Sequence, residues 1–234
     1  MATDTSVFAV ITGDVTGSSK VSTGKRGHFL GHLKGLFDQI AKGWPAALRA
    51  PFQVYRGDSF QGVLSDATAS LKVALFLRAG LRSGFTVNGE TVINDARIAI
   101  GIGSIDFLPT DSSAEGDGEA FRRSGRLLDR MADPFQLVIE TGVKEVDNEL
   151  NVGLGLLDVI IGKWSPAQAE VIGYSMLGLN QREMARRLDV SSAAVNQRLK
   201  TAGARSLDNL MRRFEELIRD KVCSLNHKTI KVEG

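Results

Sequence analysis

VFAVITGD, residues 7–14, is the stretch whose reading decides the fold. Val7, Phe8, Ala9, Val10 and Ile11 form a mostly β-favouring run, too short for a helix and bounded by turn residues. That pattern predicts a buried central strand. Asp14 stands where the strand emerges, ahead of the small-residue loop Val15-Thr16-Gly17-Ser18-Ser19-Lys20. A carboxylate at a strand end beside such a loop suits a divalent cation with phosphates above it, because backbone N–H groups can approach closely. An aspartate here can equally cap the next turn. A second aspartate downstream in a matching setting, Asp58, favours the cation.

Outward from that strand, residues 28–42 carry Phe29, Leu30, Leu33, Leu36, Phe37 and Ile40 at helical spacing, and Gly43-Trp44-Pro45 ends the helix. Two β-type runs, 52–56 and 60–64, flank Gly57-Asp58-Ser59 and predict a hairpin. Asp66 is placed to cap a helix over 67–83. A polar stretch from Val87 to Asp95 leads into a strand over 97–103 with apolar character on both faces. A helix over 119–131 and a last strand over 136–140 complete the pattern β-α-β-β-α-β-α-β. This predicts an α+β sandwich with helices on a mainly antiparallel sheet. Strand patterns cease between Gly142 and Asn151, which places a domain boundary there. The expected units are 1–143, an all-α unit at 144–222 and a disordered tail at 223–234. Leu154, Leu156, Leu157, Val159, Ile160 and Ile161 mark a connecting helix.

Asp14 and Asp58 are expected to converge at one sheet edge, as a hard-oxygen site for Mg²⁺ or Mn²⁺; two such ions can clamp a nucleoside triphosphate. At these residues the chain resembles class III nucleotide cyclases. VFAVITGDVTGSS (7–19) is similar to their first strand and phosphate loop. YRGDSFQGVL (55–64) resembles their metal-binding hairpin and the hairpin of GGDEF-type diguanylate cyclases. RIAIGIG (97–103) and GEAFRRSGRLLDRM (118–131) resemble a later strand and helix. The resemblance implies a ferredoxin-like, palm-type sandwich with metal held by Asp14 and Asp58. It implies phosphate contacts from Val15, Thr16, Gly17 and Ser18, and catalytic roles for Arg122 and Arg126. Arg126 falls at the family's helix arginine; Arg122 falls where cyclases place a transition-state asparagine, which is a departure. No base-selecting Lys/Asp pair is visible. The layout, helical C-terminal part included, also resembles the SatD family. His28 and His32 share a helix face at i, i+4, yet no third ligand is placed to complete a zinc site.

Residues 181–200, QREMARRLDVSSAAVNQRLK, match a helix-turn-helix pattern. Ala185 is small where two helices cross; Leu188, Val190, Val195 and Leu199 supply the core, and Ser191 caps the second helix. Asp189 holds the turn position that needs a left-handed backbone. Ser165-Pro166 starts a supporting helix. The arrangement resembles sigma-factor region 4 and LuxR-type regulators. If it meets double-stranded DNA, Ser191, Ser192, Asn196, Gln197, Arg198 and Lys200 face the groove, and Arg182, Arg186 and Arg187 approach the backbone.

Charge supports this mildly. The net +2 of the 234 residues conceals eleven bases against seven acids between Lys163 and Lys221. The single cysteine, Cys223, excludes an internal disulfide. No apolar run reaches the ~18 residues a membrane span needs, and no basic-then-apolar leader opens the chain. A cytoplasmic location is expected. The functional expectation is a DNA-binding transcriptional regulator whose cyclase-like domain binds a nucleotide and a divalent metal, working as a homodimer. The alternative is a metal-dependent nucleotide cyclase.

Overall fold

The computed structural model describes residues 7–17, 23–109 and 112–224. In chain order, β1 (Phe8–Thr16) leads to α1 (Arg26–Gly43), β2 (Leu48–Arg56), β3 (Ser59–Leu64) and α2 (Ser70–Ser83). Then come β4 (Phe85–Val87), β5 (Glu90–Val92), β6 (Asp95–Gly103), α3 (Glu119–Arg130) and β7 (Leu137–Glu140). Five helices close the chain: α4 (Lys144–Gly162), α5 (Pro166–Met176), α6 (Gln181–Leu188), α7 (Ser192–Thr201) and α8 (Ala204–Leu217).

β1 is the middle strand of a five-stranded sheet of order β2-β3-β1-β6-β7. It pairs antiparallel with β3 and β6, while β7 joins β6 in parallel. Alternation along β1 separates the two faces. Ala9, Ile11 and Val15 join the core under α1 and α2, with Phe29, Leu33, Leu36 and Ile40 of α1. Val10 faces the other way, packing with Ala120 and Phe121 of α3. This is the mixed α+β architecture expected from the pattern.

α3 lies unusually close to the sheet because Gly101 opposes it. A Cβ at Gly101 would run into the Ala120 carbonyl and the Ser124 amide, which are backbone and cannot rotate away. Thr12 and Ser124 add a buried hydroxyl–hydroxyl hydrogen bond of 2.9 Å at the same layer. Gly101→Ala is therefore expected to destabilise by about 1–3 kcal/mol, as overpacking does. Urea denaturation checks this, and an unchanged midpoint would show that α3 can lift off.

The polar stretch 87–95 contains an unexpected hairpin. Asn88 (φ 53°) and Gly89 (φ 80°) are both left-handed and join β4 to β5. An Asn-Gly pair between Thr-Val runs is the residue choice such a two-residue turn demands.

β7 is an edge strand, and α4 covers its outer donors. Leu137 N–H donates to Asp158 (3.2 Å), Ile139 N–H to Asn151 (2.9 Å) and Thr141 N–H to Asp147 (2.7 Å). Alternate backbone groups of β7 thus meet polar side chains spaced along one side of α4, which blocks edge pairing. Beneath them lies the fully buried Arg78 of α2. Its Nε and Nη2 donate to Asp95 at 2.9 Å each, and Nη1 donates to Asp158. Burial alone would pull the Arg78 pKa down; hydrogen bonds and charge from Asp95, then Asp158, hold it above its ordinary value.

The expected separate all-α domain is not shown. A single apolar cluster includes Ile100 and Ile139 of the sheet, Leu75 of α2, Leu154 of α4, Ile172 of α5 and Phe214 of α8. Nor does helical structure stop at residue 222: α8 runs on through a π-type turn, Ile218–Cys223, with Ile218 and Val222 buried. The remainder of the expected tail, 225–234, lies outside the described residues.

Candidate functional site

The β1 pairings bring the two aspartates to one end of the sheet. Asp14 stands opposite Ser59 on β3 and Arg97 on β6. Val15 N–H donates to the Asp58 carbonyl at 3.2 Å, so the two-residue turn Gly57-Asp58 closes directly beside β1. Gly57, at φ +57°, supplies the left-handed residue of that turn. Asp14 faces the α3 side and is gripped by Arg97, whose Nε and Nη2 donate to its two oxygens at 3.1 and 2.6 Å. The hydrogen bond from Asp14 holds the Arg97 pKa above its ordinary value. Arg97 also donates to the Met131 carbonyl at 3.3 Å. This fork–fork pair is a planar charge-assisted contact, and both partners remain partly open to water.

Two cations near the aspartates escape a reading by motif. Arg97 is visible in sequence only as the first residue of a strand, and its partner is fixed by register. Arg26, at the start of α1, lies beside the hairpin: a Cβ at Gly57 would sit 3.7 Å from its Nη2.

Several expected site residues are placed differently. Val15 and Thr16 continue β1 instead of opening a loop, because β6 pairs with β1 as far as Thr16↔Asp95. Val15 is buried and its N–H is already bonded, which removes it from phosphate contact. Gly17 turns the chain at φ +78°, and Ser18 lies outside the described residues. Arg122 and Arg126 are not brought to Asp14. The start of α3 packs at Gly103, whereas its end meets Arg97 through Met131, so Arg122 belongs to the far end of β6. Arg122 instead pairs with Asp106 (3.1 Å) and Asp117 (2.9 Å), the hydrogen bond to Asp106 being the main cause of its raised pKa. Arg126 pairs with Glu140 at 3.5 Å. Among the described residues no group of three or more His, Cys, Asp or Glu side chains could hold a metal. His32 turns between α1 and α2, its Nε2 3.0 Å from the Gly80 carbonyl and its ring against Phe85, while His28 stays exposed. Burial lowers the His32 pKa.

The C-terminal helices have their own local logic. Ser165 and Gln168 form a capping box with Pro166 in the first turn of α5. A second box, Asn180 with Glu183, starts α6, and the N-x-x-E spacing in the sequence encodes it. Asp189 is left-handed (φ 51°, ψ 48°), and Ser191 caps α7 through Ala194 N–H at 3.1 Å. Val171, Met184, Ala185 and Val195 are the small core between these helices. Arg182, Arg186, Ser191, Ser192, Asn196, Gln197 and Lys200 are exposed, and Arg198 is half-buried. Arg187 is also exposed, with its guanidinium 5.0 Å from the Tyr174 ring centroid.

The molecule is thus a mixed α+β protein whose central strand ends at a pair of aspartates and an arginine. The chain belongs to the SatD family, whose model matches residues 8–214. No curated protein matches it significantly. Among solved structures it is similar to the guanylate cyclase domain of RhGC from Catenaria anguillulae in complex with GTP, at 20% identity over 53% of this chain and 73% of that one, with a TM-score of 0.43. A dimeric guanylyl cyclase domain of the RhoGC fusion protein from Blastocladiella emersonii gives 22%, 53%, 74% and 0.43. A bacterial light-regulated adenylyl cyclase gives 14%, 61%, 80% and 0.38. At these values the likeness carries no weight on chemistry. Among the described residues no helix is long and apolar enough to cross a membrane.

Proposed function

We propose that this protein binds a nucleoside triphosphate with a divalent cation at the Asp14–Asp58 edge, as a metal-dependent nucleotide cyclase does. The observation that carries this reading is the convergence of two carboxylates on adjacent strands, with Arg97 and Arg26 beside them. The residues fit a hard cation. Asp14 already holds a positive group in both oxygens, and Mg²⁺ or Mn²⁺ needs only one or two carboxylates because it keeps several waters. When bound, the ion neutralises phosphate charge. Asp14 and Asp58 hold it, Arg97 gives up its fork on Asp14, and Arg26 faces the phosphates from the start of α1. Incubation of pure protein with each nucleoside triphosphate and Mn²⁺ tests turnover. Pyrophosphate and a cyclic product that vanish in Asp58→Ala support a cyclase; neither product from any triphosphate contradicts turnover.

The helix pair favours a second activity, DNA binding by α6 and α7. The left-handed Asp189, the capped α7 and its exposed Asn196 and Gln197 support this reading. Arg186→Ala is expected to weaken binding to all sequences alike and to lower the salt slope by about one, since a phosphate contact releases counterions. Asn196→Ala is expected to cost about 1–3 kcal/mol at the preferred site alone. Titrating promoter fragments at two salt concentrations separates these outcomes, and no retardation at low salt contradicts DNA binding. Two half-sites require two copies, so a homodimer belongs to this reading.

A further inference from the structure

One surface of α4 is left without a partner. Val152, Leu156 and Val159 are 69%, 68% and 58% exposed, and Phe135, 44% exposed, lies beside them against Gly155. These four are more than half of the large apolar side chains exposed among the described residues. A soluble surface scatters such residues singly; a run at i, i+4, i+7 on one helix marks an interface. The ends of the same stripe carry opposite charge: exposed Glu145 in the first turn and exposed Lys163 just past the last. Glu145 has only a 3.8 Å pairing with Lys221 and stays 87% exposed.

We infer that α4 is the homodimer interface, packed antiparallel on α4 of a second copy about a two-fold axis level with residue 154. It rests on the two-copy reading above for its partner and on nothing in the aspartate site. An isologous contact must be self-complementary, and this helix is. With the axis there, Val152 meets Leu156 of the other copy, and Glu145 meets Lys163. Both apolar pairs and both charge pairs are then made twice. A parallel pairing would set Glu145 against Glu145 and Lys163 against Lys163, which costs stability. Gly155 in the centre of the stripe lets the helix backbones approach, with Phe135 of each copy closing the side.

Sedimentation equilibrium of the full chain tests this. The wild type is expected to be a dimer at tens of micromolar. Leu156→Glu should weaken association by about a hundredfold or more, as loss of a central anchor does. Glu145→Lys and Lys163→Glu should each weaken it by about tenfold at low salt, while the double swap restores it. The charge variants lie on exposed positions, so they decide the matter even if Leu156→Glu fails to fold. A monomeric wild type overturns both the two-copy reading and this interface. A dimer indifferent to Leu156→Glu and to both charge variants overturns the interface alone.

Discussion

Arg78→Met is expected to destabilise the protein by about 3–5 kcal/mol, the cost of leaving buried carboxylates without their cation. Arg78 is completely buried and serves two acids from different parts of the chain, Asp95 at the start of β6 and Asp158 on α4. Methionine keeps much of the volume, so the loss is one of charge and hydrogen bonds and not of packing. Arg82 still donates to Asp95 at 3.1 Å, which softens the loss at that end. Asp158 keeps only neutral backbone donors, from Gln136 at 2.8 Å and Leu137 at 3.2 Å. Arg78→Lys should recover little, because an ammonium cannot reproduce the planar fork on Asp95. A double-mutant cycle with Asp158→Asn should show strong coupling, since the two side chains share one contact. Urea denaturation measures all four proteins. A midpoint shift worth less than about 1 kcal/mol for Arg78→Met would mean that water reaches the acids.

That network also explains what the sequence concealed. The strands and helices of the first half follow from local patterns: apolar alternation in β1, the helical stripe of α1, the Gly-Asp turn between β2 and β3. What lies between Gly142 and Asn151 is harder to read because Asp147, Asn151 and Asp158 break the apolar stripe of α4. Those residues face β7 and satisfy its edge, a task no local pattern announces. The candidate site divides in the same way. Asp14 and Asp58 are legible from their settings, whereas Arg97 owes its place to strand register and Arg26 to the packing of α1 against the hairpin. The phosphate loop was drawn two residues early because pairing with β6 extends β1 to Thr16. The helix pair, by contrast, carries its own caps and turn, so its outline is readable without the rest of the chain.

Asp14→Asn and Asp58→Asn are expected to lower affinity for a nucleoside triphosphate in Mg²⁺ by at least about tenfold each, or 1.4 kcal/mol. Each substitution removes a negative charge from a site with only two acids, while the amide keeps the shape. The fold should persist, because Asp14 is partly exposed and its Arg97 pair is open to solvent on one side. Arg97 gains freedom in Asp14→Asn, so any remaining binding should lose its dependence on the metal.

Calorimetric titration of the full chain with each nucleoside triphosphate, with and without Mg²⁺, tests the central claim most directly. The account predicts saturable binding that requires the metal and is lost in both aspartate variants. Binding that ignores Mg²⁺ and survives Asp14→Asn and Asp58→Asn, or no binding of any triphosphate by the wild type, would contradict it.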